Sequence, residues 1–225
     1  KRRKIYSWLH ESKIDIAFLQ ETHFIQKFET KYNTGWKGQP FHTYSDSVFS
    51  RGVSIYFREN FDVKIINVKR AIHGRKILIN VELNGYIFSL INIYAPNTGS
   101  KRSEFFKNVQ CFITKHCLND NILICGDFNC QLNDEKDKSV HILKKMIDKL
   151  RLTDLWKKTC SNLNGLTWCD TENNPKSRID YILIIENFSH KFNGLCIRKI
   201  PGTHSKGCRM SDHKFFKVSV SDIKR

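Results

Sequence analysis

Ile122-Leu123-Ile124-Cys125-Gly126-Asp127-Phe128-Asn129 is the stretch on which the fold turns. Its first four residues form an apolar run too short for a helix, so they read as a buried strand. A glycine follows, and then an acid and an amide sit just past the strand end. The same pattern recurs outward from it. Upstream, Ile14 to Leu19 is a short apolar run that ends at Gln20-Glu21-Thr22-His23. Val53 to Phe57 follows Gly52, and Val63 to Val68 and Ile77 to Leu83 continue as strands. Asn84-Gly85 between two alternating runs predicts a hairpin, with Tyr86 to Tyr94 as its returning strand. Downstream, Ile179 to Ile185 and Phe215 to Val220 close the pattern. Helices are predicted over residues 1–12, over roughly 102–117 with Ser100 as cap, and over Val140 to Leu150. Phe24 to Ser50 is polar and broken by Gly35, Gly38 and Pro40, which predicts irregular chain. Many strands, a hairpin and interspersed helices exclude a purely parallel βαβ sheet. The expected fold class is α/β, a four-layer sandwich of two mixed β-sheets packed face to face and flanked by helices. With no repeat, linker or low-complexity tract, residues 1–225 read as a single domain.

The chain has 225 residues, of which 40% are apolar, including 16 Phe and 4 Trp, enough for one sizeable core. Lys and Arg number 38 against 22 Asp and Glu, leaving a net charge of +16. A field of that sign favours a polyanion, and nucleic acid is the commonest one. The eight cysteines include no CxxC pair, and no histidine pair completes a zinc pattern, so they read as reduced thiols of an intracellular protein. No apolar run reaches the ~18 residues of a membrane span. Lys1-Arg2-Arg3-Lys4 leads straight into an amphipathic pattern rather than a signal peptide, as expected of a piece cut from a longer protein.

Chemistry-bearing residues gather at strand ends. Glu21 follows one strand, and Asp127 and Asn129 follow another. Asp180 opens the run Ile179-Asp180-Tyr181-Ile182-Leu183, and Asp212-His213 precedes the last strand. Singly, each has an ordinary explanation as a surface acid, a turn or a cap. A carboxylate buried beside a strand costs several kcal/mol unless it is paired or binds a metal, so four such choices suggest convergence on one site. Carboxylates with amides and one histidine suit a hard ion such as Mg²⁺, or Mn²⁺ in its place, and that set is a toolkit for phosphoryl transfer.

Five stretches carry a resemblance. They are Gln20-Glu21-Thr22-His23, Asn92-Ile93-Tyr94-Ala95-Pro96-Asn97, Gly126-Asp127-Phe128-Asn129, Ser177-Arg178-Ile179-Asp180-Tyr181 and Ser211-Asp212-His213. In this order they resemble the successive motifs of the endonuclease/exonuclease/phosphatase superfamily, of the exonuclease III/DNase I type. The wording of the second and fourth is most similar to the apurinic-like endonuclease of non-LTR retrotransposons. The resemblance implies roles for these residues. Glu21 is the principal metal ligand, and Asp212 assists through the metal's surroundings. Tyr94 hydrogen-bonds a phosphate oxygen, Asp127 orients or deprotonates the attacking water, and Asn129 fixes that water and the scissile phosphate. Asp180 orients His213, which stabilises the transition state or acts as acid/base. Thr167 supports the site through its hydroxyl, and Ser211 holds a smaller supporting position. The family opens with an Asn-bearing strand that shares the metal site. Residues 1–13 resemble the helix after it, and no Asn precedes Asn33, so the expectation is an N-terminally truncated domain.

The resemblance implies a Mg²⁺-dependent endonuclease that nicks DNA and leaves a 3′-hydroxyl for reverse transcription. As a partner it implies DNA and no membrane. The domain would be monomeric, fused to a reverse transcriptase, intracellular and nuclear when acting. The alternatives are an abasic-site repair nuclease, a superfamily phosphatase or lipid phosphodiesterase, and a non-catalytic binding module.

Overall fold

The computed structural model describes residues 2–45, 51–160, 165–169, 174–198, 213 and 215–220. The elements are α1 (Arg2–Glu11), β1 (Ile16–Gln20), α2 (Glu29–Asn33), β2 (Gly38–His42), β3 (Val53–Arg58), β4 (Lys64–Arg70), β5 (Lys76–Leu83), β6 (Tyr86–Tyr94), α3 (Gly99–His116), β7 (Ile122–Asp127), α4 (Lys138–Lys149), β8 (Leu152–Asp154), α5 (Leu155–Thr159), β9 (Trp168–Cys169), β10 (Pro175–Ser177), β11 (Asp180–Ile185), β12 (Phe192–Arg198) and β13 (Phe215–Val220). They build the α/β sandwich that the strand pattern predicts. An antiparallel sheet in the order β1-β3-β2 faces a mixed sheet in the order β4-β5-β6-β7-β11-β8, whose one parallel pair is β6 with β7. Two short antiparallel pairs, β9–β10 and β12–β13, complete the described strands.

Alternation along each strand sorts the core into layers. Val53, Ile55 and Phe57 of β3 meet Ile77, Ile79, Leu90, Leu123, Ile182 and Ile184 of the larger sheet, which fills the space between the sheets. The opposite face of the larger sheet, with Leu78, Ile91, Ile124 and Leu183, packs under Phe106, Val109 and Ile113 of α3 and Val140, Leu143 and Met146 of α4. On the far side of the small sheet, Tyr6 and Leu9 of α1 pack with Trp36 and Tyr56. The order of layers is therefore helix, sheet, sheet, helices.

The structure corrects three local expectations. The helix after Pro96 begins at Gly99 behind Thr98, so Ser100 lies inside its first turn and is not the cap. The stretch expected to be irregular holds β2, although it contains Gly38 and Pro40. Pro40 is tolerated because β2 is a sheet edge, where a missing N–H removes no ladder bond. Gly38 adopts φ +131, and a Cβ there would lie 2.1 Å from the Phe57 carbonyl oxygen, so a side chain is excluded. Finally β8, α5 and β12 were not visible in the apolar pattern. β8 has three residues and α5 five, too short for a periodicity to register. Cys111, Cys117, Cys125 and Cys130 are free thiols. No helix among the described residues is long and apolar enough to cross a membrane.

One buried polar cluster has a measurable consequence. His42 is fully buried, with Nδ1 2.8 Å from the Ser54 hydroxyl and Nε2 2.8 Å from the Asn33 side-chain oxygen. Burial, assisted by the Arg70 charge, lowers its pKa to about 4. In the unfolded chain a histidine titrates near ~6.5, so between these values the unfolded state binds more protons. The stability from keeping His42 neutral is present above the unfolded value and is lost as pH falls towards 4, to a limit of roughly 3 kcal/mol. Melting temperatures measured from pH 7 to 4.5 should fall more steeply for the wild type than for His42→Gln. Parallel curves would remove His42 from the acid response.

Candidate active site

Strand register sets the site. β6 and β7 run parallel with Tyr94 beside Asp127, and β7 and β11 run antiparallel with Asp127 beside Asp180. Tyr94, Asp127 and Asp180 therefore form a row across three neighbouring strands. The row lies on the face whose other residues, such as Leu90, Cys125 and Ile182, fill the space between the sheets. Tyr94 and Asp127 end their strands and Asp180 begins its own, so the row sits at the margin of the core. Gly126 permits the close approach: at φ +150, a Cβ would lie 2.0 Å from the Ile93 carbonyl oxygen.

The opposite sheet supplies Glu21, one residue past β1. Asn92, buried inside the sandwich, brings the two sheets into register. Its Nδ2 donates to the carbonyls of Leu19 at 3.0 Å and Ser54 at 2.9 Å, and its Oδ1 accepts from Gln20 Nε2 at 2.6 Å. Two residues on, the Tyr94 hydroxyl donates to Glu21 Oε1. Glu21 (φ 51), His23 (φ 57) and Asn129 (φ 51) are left-handed, a conformation that non-glycine residues adopt at a cost and that recurs at functional loops.

The remaining contacts fix the acids. The Asn129 N–H donates to Asp127 Oδ1 at 2.8 Å, and its Nδ2 donates to the Ala95 carbonyl at 2.8 Å. Asp180 Oδ2 lies 2.8 Å from His213 Nδ1. Thr167 is buried, and its hydroxyl oxygen accepts from the N–H groups of Ile179 and Asp180 at 3.2 Å each, which sets the start of β11. Its neighbour Trp168 forms an isolated antiparallel bridge with His213. Arg178 pairs with Asp154 at 2.7 Å and lies over the Tyr181 ring, bracing the same strand start.

Electrostatics single out Asp127. Burial first, and then the charge of Asp180, push its carboxyl up to about 8, against the lowering effects of His213 and the Asn129 N–H. Tyr94 is also held in its neutral form, by burial and by its bond to Glu21. Ligand atoms of Asp127, Asp180 and His213 lie within 4.8 Å of one another, close enough to share a cation. An added cation would offset both the burial and the Asp180 charge that raise the Asp127 pKa, so these residues fit a divalent ion. Ser211 and Asp212 lie outside the described residues.

Three residues that serve the site were given no role from the sequence, although Asn92 opens one of the quoted motifs. Arg75, just before β5, donates to the Tyr94 carbonyl at 3.1 Å and stacks on its ring, and it feels the charges of Glu21 and Asp127. Only its place at a strand start hinted at this. Asn92 is a polar residue on an otherwise apolar buried strand, and Arg102 shares the buried stripe of α3 with Phe105, Phe106, Val109 and Ile113. A polar residue where the periodicity calls for an apolar one was a usable signal in both cases.

A two-sheet sandwich with an acidic, histidine-bearing centre at the strand ends suits metal-assisted phosphoester hydrolysis. Residues 1–213 match the Endonuclease/Exonuclease/phosphatase family, and the chain belongs to that family. It is 27% identical over 227 residues to the transposon TX1 uncharacterized 149 kDa protein of Xenopus laevis, a match covering 97% of this chain. The chain spans only 17% of the length of that curated relative. Solved structures share the fold. An AP endonuclease from Archaeoglobus fulgidus superposes with a TM-score of 0.75 at 19% identity, over 96% of this chain and 92% of its own. The endonuclease domain of TRAS1, a telomere-specific non-LTR retrotransposon, gives 0.69 at 15% identity, over 97% and 91%. The 3′ phosphatase NExo from Neisseria, bound to product DNA hairpin, gives 0.71 at 17% identity, over 97% and 93%.

Proposed function

We propose that this chain is a DNA-nicking endonuclease of a non-LTR retrotransposon, dependent on Mg²⁺ or Mn²⁺, that leaves a 3′-hydroxyl from which a reverse transcriptase primes. The observation that carries this reading is the row of Tyr94, Asp127 and Asp180, with Glu21 facing it and His213 paired to Asp180. The likeness to a transposon protein and the +16 charge support a nucleic-acid substrate over a lipid or small phosphoester. In the longer protein the domain, residues 1–225, would act as a monomeric module fused to the polymerase, on nuclear DNA.

Glu21 would be the principal metal ligand, with Asp212 contributing to its surroundings. Held there, a divalent ion would supply charge neutralisation at the scissile phosphate. Asp127, once ionised, holds the attacking water and takes its proton, and the Asn129 amide fixes the direction of attack. Tyr94 donates to a phosphate oxygen, having Glu21 as its partner before substrate arrives. His213, oriented through Nδ1 by Asp180, meets the charge that develops on the phosphate oxygens. Thr167, and Ser211 with it, hold the scaffold of these groups.

The test is relaxation of supercoiled plasmid in Mg²⁺, with 5′- and 3′-end analysis of the nicks, beside an abasic duplex and a phosphoinositide. Nicks that carry 3′-hydroxyls and stop with EDTA are expected. Cleavage that continues in excess chelator, or preference for the lipid, would sink the proposal. Binding to duplex should weaken steeply with salt, because several phosphate contacts release counterions. A flat log Kd against log salt would argue against a polyanionic substrate.

A further inference from the structure

Arg102 is 6% exposed, on the buried face of α3. Every nitrogen of its guanidinium is engaged. Nε donates to the Ser139 hydroxyl at 2.8 Å, and Nη1 donates to the carbonyls of Asn97 at 2.8 Å and Pro96 at 3.3 Å. Nη2 pairs with Asp137, the residue whose side chain caps α4 through the Ser139 N–H. The carbonyls it holds belong to the turn that follows Tyr94, and Asp137 and Ser139 end the segment that follows Asn129. The two segments meet at the site itself. The Ala95 N–H donates to the Asp127 carbonyl at 2.8 Å, and the Ala95 carbonyl accepts from Asn129 Nδ2 at 2.8 Å. Arg102 thus closes a ring of contacts whose far side is the Asn129 side chain.

A buried ion pair contributes little net stability compared with apolar packing of the same volume. What a fixed planar fork of donors supplies is geometry: it holds two carbonyls and a carboxylate at set angles. We propose that Arg102 is a positioning residue for phosphodiester cleavage. By clamping the Pro96–Asn97 turn to the start of α4, it sets the Ala95 carbonyl and so the orientation of the Asn129 amide beside Asp127. This rests on the nuclease reading. Arg102 touches neither substrate nor metal, and its effect appears in turnover rather than in binding. Groups that orient those in contact with the reaction typically matter 10–100-fold.

The experiment compares wild type, Arg102→Lys and the double variant Arg102→Leu/Asp137→Leu in Mg²⁺-dependent nicking, well below each melting temperature. The double variant leaves no buried charge unpaired, so it keeps the fold testable even where the single change does not fold. Expected is a ~10–100-fold loss of kcat with KM for duplex within about threefold, and faster hydrogen exchange at residues 94–98 and 127–132. Wild-type kcat in a folded double variant overturns the proposal, and so does a loss confined to KM or unchanged exchange. A wild type that nicks nothing fails the nuclease reading itself, a result distinct from a fast variant beside an active wild type.

Discussion

Asp127→Asn should raise the melting temperature of the metal-free protein while slowing single-turnover nicking by ~10²–10⁴-fold. The rate loss follows because an amide cannot take the proton of the attacking water. The stability gain follows from where the carboxylate sits. Asp127 is buried, and the charge of Asp180 in the adjoining strand adds to the cost of ionising it, so its pKa rises to about 8. Between the unfolded value near 3.8 and that value, the native state holds a proton that the unfolded chain has released. Stability from this group is therefore fully present below pH 4 and is lost as pH rises through 8. The asparagine has no such slope. The difference in melting temperature between variant and wild type should be smallest near pH 4 and grow to several degrees near pH 8, because one pKa unit is ~1.4 kcal/mol. Saturating Mg²⁺ should narrow the gap, because a nearby cation favours the ionised carboxylate that only the wild type can form. Melting curves at pH 4, 6 and 8 with and without the ion decide the matter. A variant less stable than wild type at pH 8 would mean that Asp127 is charged and satisfied in the resting protein.

The contrast between what could and could not be read in advance has a physical basis. Tyr94, Asp127 and Asp180 stood out because each adjoins an apolar run, and strand periodicity fixes their face once the strands are known. The pairing of those strands is not local. Nothing within Ile122–Asp127 states that β6 lies parallel on one side and β11 antiparallel on the other, yet that arrangement makes the row. Asn92, Arg75 and Arg102 escaped for a related reason. Each has a partner 19 to 73 residues away: Leu19 for Asn92, Tyr94 for Arg75 and Asp137 for Arg102. Composition carries no record of such contacts. α5 is the opposite case. Its capping Asp154 accepts from the Trp156 and Lys157 N–H groups, a local signal present in the sequence but attached to a helix too short to show a period.

His213→Ala should lower the single-turnover rate by ~10²-fold or more, and adding Asp180→Asn should make it little worse. The argument rests on how Asp180 is connected. Its Oδ2 lies 2.8 Å from His213 Nδ1, and its backbone N–H is held by Thr167, so its carboxylate addresses the imidazole rather than open solvent. A residue that acts only through another contributes nothing once that other is gone, so the double variant measures their coupling. Asp180→Asn alone should still lose most activity, since an amide accepts from the ring without its charge. The pair also acts on Asp127 with opposite signs. Asp180 raises its pKa and His213 lowers it. If Asp127 must ionise before attack, the acid limb of the pH–rate profile moves to lower pH in Asp180→Asn and to higher pH in His213→Ala. Measuring both profiles at fixed Mg²⁺ separates this arrangement from a purely structural one, in which both variants lose rate with the limb unmoved. Additive losses in the double variant would mean that Asp180 reaches the reaction by a route other than His213, and displacement of both limbs in the same direction would mean that Asp180 bears on Asp127 only through the His213 charge.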